Sequence, residues 1–448
     1  MLKNILNTSF TKIISAGLSL ILLILTTRYL GAHGRGVLSI ITASVGLITL
    51  FNGFLGGSSL VYVIPRNRSI SFFKQATILW CLWSLLVSIL ISFILLFTGV
   101  ISTNLFFHIV ILGILSSFFG TSTTILLAEE KVGSYNISGI IQVSANFLIF
   151  GLIILVLRKV NINSYLLALY ISYILGLCFT VYFVLKIWKV VRKKPLISFF
   201  STVKEISRYG FIAQLGNVIQ YLNYRLSYFI LNHYVGLADV GIYSVGVTIA
   251  ESIRLISSSI ALVQYSKIAN TDNLNYSREL TIRLAKLSFI ITLLATFFLL
   301  FMPQGLFSLV FGRDFGPTKT IIFYLSAGIV SFGLTVTISH YFAGIGKYHI
   351  NTIASFIGLV FTIALNFLLI PKYGYIGAAI SASLSYLGTS LFLILIFIKE
   401  TGYSLLIFLP SKQDLKFIVD RIELRYLRES RNIQLKHRVS TGVDKIDD

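Results

Sequence analysis

Apolar runs of about twenty residues, separated by short polar stretches, recur from one end of this 448-residue chain to the other. Each run is long enough to cross a hydrocarbon core about 30 Å thick as a helix. The pattern predicts twelve spans, at 11–30, 37–64, 76–100, 105–128, 137–157, 165–187, 211–231, 239–263, 285–302, 321–342, 350–370 and 376–398. The runs are about twice the length of a barrel strand and do not alternate. They are therefore helices, which satisfy their own backbone in lipid. Pro65, Pro195, Pro303, Pro317, Pro371 and Pro410 all fall at expected span ends or in loops.

Spans seven and eight break the apolar pattern in an ordered way. At about 100° per residue, Gln214, Asn217, Tyr221, Tyr224, Arg225 and Tyr228 share an arc of about 100° on span seven. Ser244, Thr248, Glu251, Arg254 and Ser258 share a similar arc on span eight. Two neighbouring helices with polar stripes are what the wall of a water-filled cavity requires.

The same two spans anchor an internal repeat. Tyr29-Leu30-Gly31, Gly36-Val37 and Ser39 recur 205 positions later as Tyr234-Val235-Gly236, Gly241-Ile242 and Ser244. A fainter echo relates Ala128 and Asn136 to Ala343 and Asn351, and Asn146-Phe147-Leu148-Ile149 to Asn366-Phe367-Leu368-Leu369. Six spans separate the copies, so both halves enter the membrane in the same direction. Parallel repeats of this kind are a recognised transporter plan, with the substrate site between the halves.

Composition agrees with the membrane class: 56% of residues are hydrophobic and 12% charged, against about 25% charged in soluble domains. The net charge of +21 raises the question of nucleic acid, and the placement of that charge answers it. With the N-terminus in the cytoplasm, 28 of the 37 Lys and Arg fall at cytoplasmic span ends, loops and tail. Seven fall in external loops, Arg35 among them, and Arg225 and Arg254 lie within spans. A four-to-one bias is the signature of orientation, with both termini cytoplasmic. Cys81 and Cys178 lie inside apolar runs and suggest no disulfide framework. Lys3 and Lys12 precede the first apolar run, but no small-residue cleavage site follows Leu25, so a retained first span is expected.

The expected organisation is a six-helix bundle over 1–187, a basic cytoplasmic linker over 188–206, a second six-helix bundle over 207–398 and a basic tail over 399–448. Within the tail, 413–428 reads as an amphipathic helix, with Leu415, Ile418, Val419, Ile422 and Tyr426 on one face. Two readings stand for it: a helix lying on the anionic lipids of the inner leaflet, or a frayed polar end.

Several local motifs resemble one family. They are Arg28-Tyr29-Leu30-Gly31-Ala32-His33-Gly34-Arg35-Gly36, Gly56-Gly57-Ser58-Ser59-Leu60-Val61-Tyr62, Phe311-Gly312-Arg313-Asp314-Phe315 and Pro371-Lys372-Tyr373-Gly374-Tyr375-Ile376-Gly377-Ala378-Ala379. In this order, over about residues 1–400, the chain resembles the polysaccharide transporters, or O-antigen-type oligosaccharide flippases, of the multidrug/oligosaccharidyl-lipid/polysaccharide exporter superfamily. The resemblance implies two six-helix bundles around a central cavity that opens alternately to each face of a bacterial inner membrane. It also implies a substrate of undecaprenyl diphosphate carrying an oligosaccharide, as in lipopolysaccharide biosynthesis. A polysaccharide polymerase or glycosyltransferases would be the associated partners. Lipid II flippases of the superfamily typically have fourteen spans, from which this chain departs.

No phosphate-binding G-x-x-x-x-G-K-[ST] loop and no clustered metal ligands occur, so no enzyme, cofactor or metal is expected. Ionisable residues well inside spans are the candidates, because their cost is tolerated where they face a cavity or a bundle interior. Arg225 and Arg254 are expected to attract a lipid diphosphate through their planar guanidinium forks, with Gln214, Asn217, Tyr221 and Tyr224 contacting sugar hydroxyls. Glu251 is the candidate ion-coupling residue; the opposing reading pairs it with Arg254 three residues on, leaving Arg225 as the free cation. Lys12 stands near the cytoplasmic mouth, where first contact with diphosphate competes with ordinary snorkelling. Asn52 in span two either lines the cavity or belongs, with Gly53, Gly56 and Gly57, to a close helix contact. Two other functions remain: an ion-coupled drug or cation exporter, and a non-transporting scaffold for polysaccharide assembly. A cationic drug would need carboxylates, of which the spans offer Glu251 against two arginines.

Overall fold

Glycines set where the long helices of this protein turn. The computed structural model describes residues 2–57, 59–66, 70–157, 160–188 and 199–408. Its helices are α1 (Leu2–Gly56), α2 (Ser59–Val63), α3 (Ile70–Phe97), α4 (Thr103–Ala128), α5 (Val132–Leu157), α6 (Ile162–Trp188), α7 (Phe199–Tyr234), α8 (Leu237–Ser252), α9 (Arg254–Ala269), α10 (Leu274–Phe301), α11 (Gln304–Phe311), α12 (Thr318–Gly344) and α13 (Tyr348–Thr401). Among the described residues, nine helical stretches are long and apolar enough to cross a membrane.

Two of these nine, of 52 and 54 residues, would extend about 80 Å as straight rods at about 1.5 Å per residue. Neither is straight. α1 breaks at Gly31 (φ 64°, ψ −172°) and α13 at Gly374 (φ 56°, ψ −132°), conformations that side chains other than glycine rarely adopt. The return is tight, since a Cβ on Gly377 would overlap the carbonyl oxygen of Leu369. In a straight helix those two positions stand about 12 Å apart. Each long stretch therefore crosses twice. α7, with 36 residues, is too polar to count among the nine, yet it packs along both α1 and α13. Among the described residues the total is twelve spans, all helical, with α8 and α9 forming one of them.

Details differ from the sequence expectation. Helix α7 starts at Phe199, so the second half of the expected linker is helical; residues 189–198 and the expected tail helix at 413–428 lie outside the described residues. Pro371, in the last turn of the first limb of α13, stands at a span end as expected. Trp80 and Trp83 of α3 turn toward the end of α1. Their indole N–H groups donate to the carbonyls of Leu55 (3.0 Å) and Phe51 (3.1 Å) in the last turns of α1, the first of which is an acceptor that the helix end leaves without an intrahelical partner.

The helices pack as two groups. α1 and α3–α6 pack on one another, and α7–α10, α12 and α13 form the second group. Small and hydroxylated residues let the helices approach closely. In the second group, Asn223 Oδ1 accepts from Thr362 (2.5 Å) and Ser385 (2.7 Å), and Asn366 Nδ2 donates to Ser227 Oγ at 3.0 Å. These bonds tie α7 to both limbs of α13. They satisfy polar atoms that lipid would leave unpaired.

The two groups meet chiefly through α1 against α7 and α8, and the duplicated motif lies at the centre of that contact. Gly236 (φ 124°, ψ 177°) occupies nearly the same backbone region as its counterpart Gly31. A Cβ on Gly36 would overlap the Leu237 carbonyl, and one on Gly241 would overlap the Ala32 carbonyl. Shifting by 205 positions converts Gly36 into Gly241 and Ala32 into Leu237. The two contacts are therefore the same contact seen twice, across a local pseudo-two-fold. The segment after α10 reinforces it: Arg28 Nε donates to the Val310 carbonyl (2.8 Å) and Arg28 Nη2 to that of Leu309. Asp314 Oδ2 accepts the Ala32 N–H at 3.2 Å. An acidic residue of the second half thus caps the helix that restarts after Gly31 in the first half.

Candidate functional site

The polar stripe of α7 contains two different functions, which separate along its length. Toward its N-terminal end it forms the seam with α1. Gln214 Nε2 donates to the Leu50 carbonyl (3.0 Å) against the glycine at position 53, and the Tyr221 hydroxyl donates to the Ala43 carbonyl (2.9 Å) against Gly46. Asn217 is exposed and donates to Gln214 Oε1 at 3.1 Å. The glycines of α1 admit these side chains to its backbone, where any Cβ would block them.

One turn further on, α7, α8, α9, α12 and α13 converge on a charged cluster. Arg225 and Glu251 form a two-point ion pair, with Nη2 to Oε2 at 3.0 Å and Nη1 to Oε1 at 3.4 Å. The Tyr386 hydroxyl donates to the same Oε1 at 3.0 Å. Glu251 is 8% exposed, and the Arg225 side chain 26%. Both carboxylate oxygens thereby accept hydrogen bonds, and the pair ties α7 to α8 with α13 as a third party. The expected pairing along α8 is corrected: Glu251 pairs across helices with Arg225, not along its own helix with Arg254. At three residues the spacing to Arg254 is favourable, but the chain interposes a tightened turn. Ile253 and Ile256 bond to carbonyls three residues back, not four, and Arg254 opens α9.

Within this cluster, Arg254 is consequently the cation that takes part in no ion pair. Half-buried, its guanidinium lies over the ring of Tyr224 at 4.8 Å and over that of Phe332 at 5.6 Å. Tyr224, Phe332 and Tyr386 pack on one another, with centroids 4.7–6.2 Å apart, and Gln220 Nε2 donates to the Tyr224 hydroxyl at 3.0 Å. Ring faces attract the cation without neutralising it, so the N–H groups that do not face Tyr224 stay available to an anion. A small polar pocket of about 70 Å³ opens beside this cluster, lined by Gln220, Asn223, Thr335, Asn351 and Tyr386 among others.

The structure thus brings together Arg225, Glu251, Arg254 and Tyr224, and sets Gln214, Asn217 and Tyr221 along the seam with α1. It leaves two candidates apart. Asn52 is 3% exposed and turns into the first group, donating to Thr121 Oγ1 at 3.2 Å. Lys12 is exposed on the first limb of α1. Sequence reasoning missed Tyr386 and Phe332. Tyr386 was visible as a lone aromatic in the Ser-rich start of span twelve, but its partner Glu251 lies 135 positions away.

Twelve spans in two parallel repeats, with a buried charged cluster between helices, define a multi-pass membrane protein of the two-bundle type. The model of the family described as polysaccharide biosynthesis protein matches residues 1–265, more than half of the chain, and the protein belongs to that family. The family resemblance drawn from the motifs is borne out. Among curated relatives, the capsular polysaccharide biosynthesis protein CapF of Staphylococcus aureus is 30% identical over 176 residues, covering 37% of this chain and 42% of the relative. An uncharacterised membrane protein of Methanocaldococcus jannaschii is 24% identical over 245 residues, 53% of this chain and 48% of that one. The chain thus matches less than half the length of either. Among solved structures, a lipid II flippase MurJ in an inward closed conformation superposes with TM-score 0.70 at 17% identity, over 98% of this chain and 93% of that one. An inward-facing multidrug resistance MATE family transporter of the MOP superfamily gives 0.66 at 16%, over 89% and 100%. At such identities the likeness is one of fold.

Proposed function

We propose that the protein is a flippase that moves undecaprenyl-diphosphate-linked oligosaccharide units across the bacterial inner membrane by alternating access, for surface-polysaccharide biosynthesis. The observation that carries this reading is Arg254: a membrane-embedded guanidinium held on aromatic faces and left without an ion-pair partner among the described residues. A cation in that setting is costly and is offset when it meets an anion. A diphosphate offers the oxygen pairs that a guanidinium fork matches. Family membership supports a substrate from polysaccharide synthesis. A cationic drug finds no free carboxylate in the cluster, because Arg225 and Tyr386 occupy both oxygens of Glu251. Proton or sodium coupling through Glu251 would first have to break that pair. Arg225 serves as its counter-charge and helix tie, and Arg254 as the substrate group; Asn217, exposed beside the seam, is the sugar-facing residue of the original set.

Arg254→Ala is expected to reduce export of surface polysaccharide at least tenfold and to leave lipid-linked precursor on the cytoplasmic leaflet. Arg254→Lys should restore export in part, since it keeps the charge and loses the fork. Quantifying surface polymer and leaflet-resolved precursor in cells carrying each variant at matched abundance is the test. Normal export by a stable Arg254→Ala protein would refute the assignment.

A further inference from the structure

Near the contact between the two hairpins lies a second cation that the ion pairs of the protein leave out. Arg35 sits on the return limb of α1, next to Gly36. Its Nε is buried and has no hydrogen-bond partner. Its one bond, from Nη1 to Thr26 Oγ1, is stretched to 3.5 Å, and among the described residues it forms no ion pair. Its electrostatic neighbours are the phenols of Tyr165 on α6 and Tyr228 on α7, one from each helix group. Two charged groups close to it are committed elsewhere: Arg28 to the Val310 and Leu309 carbonyls, Asp314 to the Ala32 N–H. Tyr228 also lies 5.4 Å beneath the Arg225 guanidinium. A file of cations and rings thus leads from Arg254 past Arg225 and Tyr228 to Arg35.

An unpaired guanidinium enclosed between two bodies is a poor structural tie, because it carries the desolvation cost of a salt bridge without the partner. It is a good anion site once those bodies separate and leave its fork facing the opening. We infer that Arg35 is a second anion-binding group, specific for the diphosphate of a polyprenyl diphosphate, and that it becomes available when the hairpin contact of Gly36 and Gly241 parts. This rests on the flippase reading above and adds to it: Arg254 takes the diphosphate while the hairpins are closed, and Arg35 takes it at the exit. Guanidinium at both ends gives each conformation its own site, so the ligand can shift the equilibrium between them only through its difference in affinity for the two.

The test measures binding of undecaprenyl diphosphate to the purified full chain in phosphatidylcholine nanodiscs, in the parent and in a Gly241→Ala background whose added methyl opposes closure. In the parent, Arg35→Ala should change affinity less than twofold. In the Gly241→Ala background it should weaken binding at least tenfold, with Arg35→Lys in between. Undecaprenol, which lacks the diphosphate, and phosphatidylglycerol, a bulk anionic lipid, should show no dependence on residue 35; a dependence on phosphatidylglycerol would make Arg35 a general lipid contact and overturn the inference. Equal weakening in both backgrounds, or none in either while Arg254→Ala weakens both, would overturn it and leave the flippase reading intact. A lowered melting temperature common to Arg35→Ala and Arg35→Lys, with binding unchanged, would assign the residue to packing. Failure of the parent and every variant to bind undecaprenyl diphosphate would overturn both readings together.

Discussion

Alanine at Gly36 or Gly241 is expected to part the hairpins and expose the residues between them. Each glycine faces a backbone carbonyl of the other half, and a backbone atom cannot rotate away as a side chain can. Overpacking of this kind costs about 1–3 kcal/mol, which shifts a two-state equilibrium by about 5- to 150-fold. Val240, fully buried beside the contact, reports the change. In a background with Cys81 and Cys178, the free cysteines at the exposed surface of the helices, replaced by serine, Val240→Cys should be inert to a water-soluble maleimide. Adding Gly36→Ala or Gly241→Ala should raise its labelling rate at least fivefold, and the two together should act no more than additively because they are halves of one pseudo-symmetric contact. Unchanged labelling in both would mean that the contact is not what closes this end.

Breaking the Arg225–Glu251 pair is expected to be costly in either direction and much less so when both charges go. Removing one member of a buried ion pair strands the other and typically costs about 3–5 kcal/mol. The partial exposure of Arg225, 26%, puts the expectation at the lower end for Glu251→Gln, about 3 kcal/mol. Arg225→Met should cost more, because it strands a carboxylate that is only 8% exposed. Arg225→Met combined with Glu251→Gln should recover most of the loss, measured as melting temperature in detergent and abundance in the membrane. Tyr386→Phe removes one of the three donors to Glu251 and should lie between the parent and Glu251→Gln. Additive losses in the double variant would contradict the pairing.

The span pattern, the duplication and the family were legible because they are carried by local periodicity and by glycines whose backbone conformations the turn requires. Gly31 and Gly236 could be matched 205 positions apart before any contact between their hairpins was known. The polar stripes of spans seven and eight were legible for the same reason, as helical periodicity. What the stripes touch was not. Glu251 finds Arg225 because α7 and α8 cross at one height, and spacing along a single helix favours Arg254 instead. Gln214 and Tyr221 look like cavity-facing sugar contacts in sequence, but close approach at Gly53 and Gly46 turns them onto the backbone of α1. Arg35 was counted among loop residues by charge bookkeeping, which registers on which side a cation lies and not whether it is paired.

The central claim, transport of a diphosphate-linked lipid by a site built on Arg254, is tested most directly in proteoliposomes containing the purified chain as the sole protein. A fluorescent oligosaccharide on undecaprenyl diphosphate is placed in both leaflets, and the fraction reached by an impermeant quencher is followed in time. The account predicts that the protected fraction falls toward zero with the parent protein, at least tenfold more slowly with Arg254→Ala, and at an intermediate rate with Arg254→Lys. A protected half that persists as it does in protein-free liposomes, or equal rates for parent and Arg254→Ala, would contradict it.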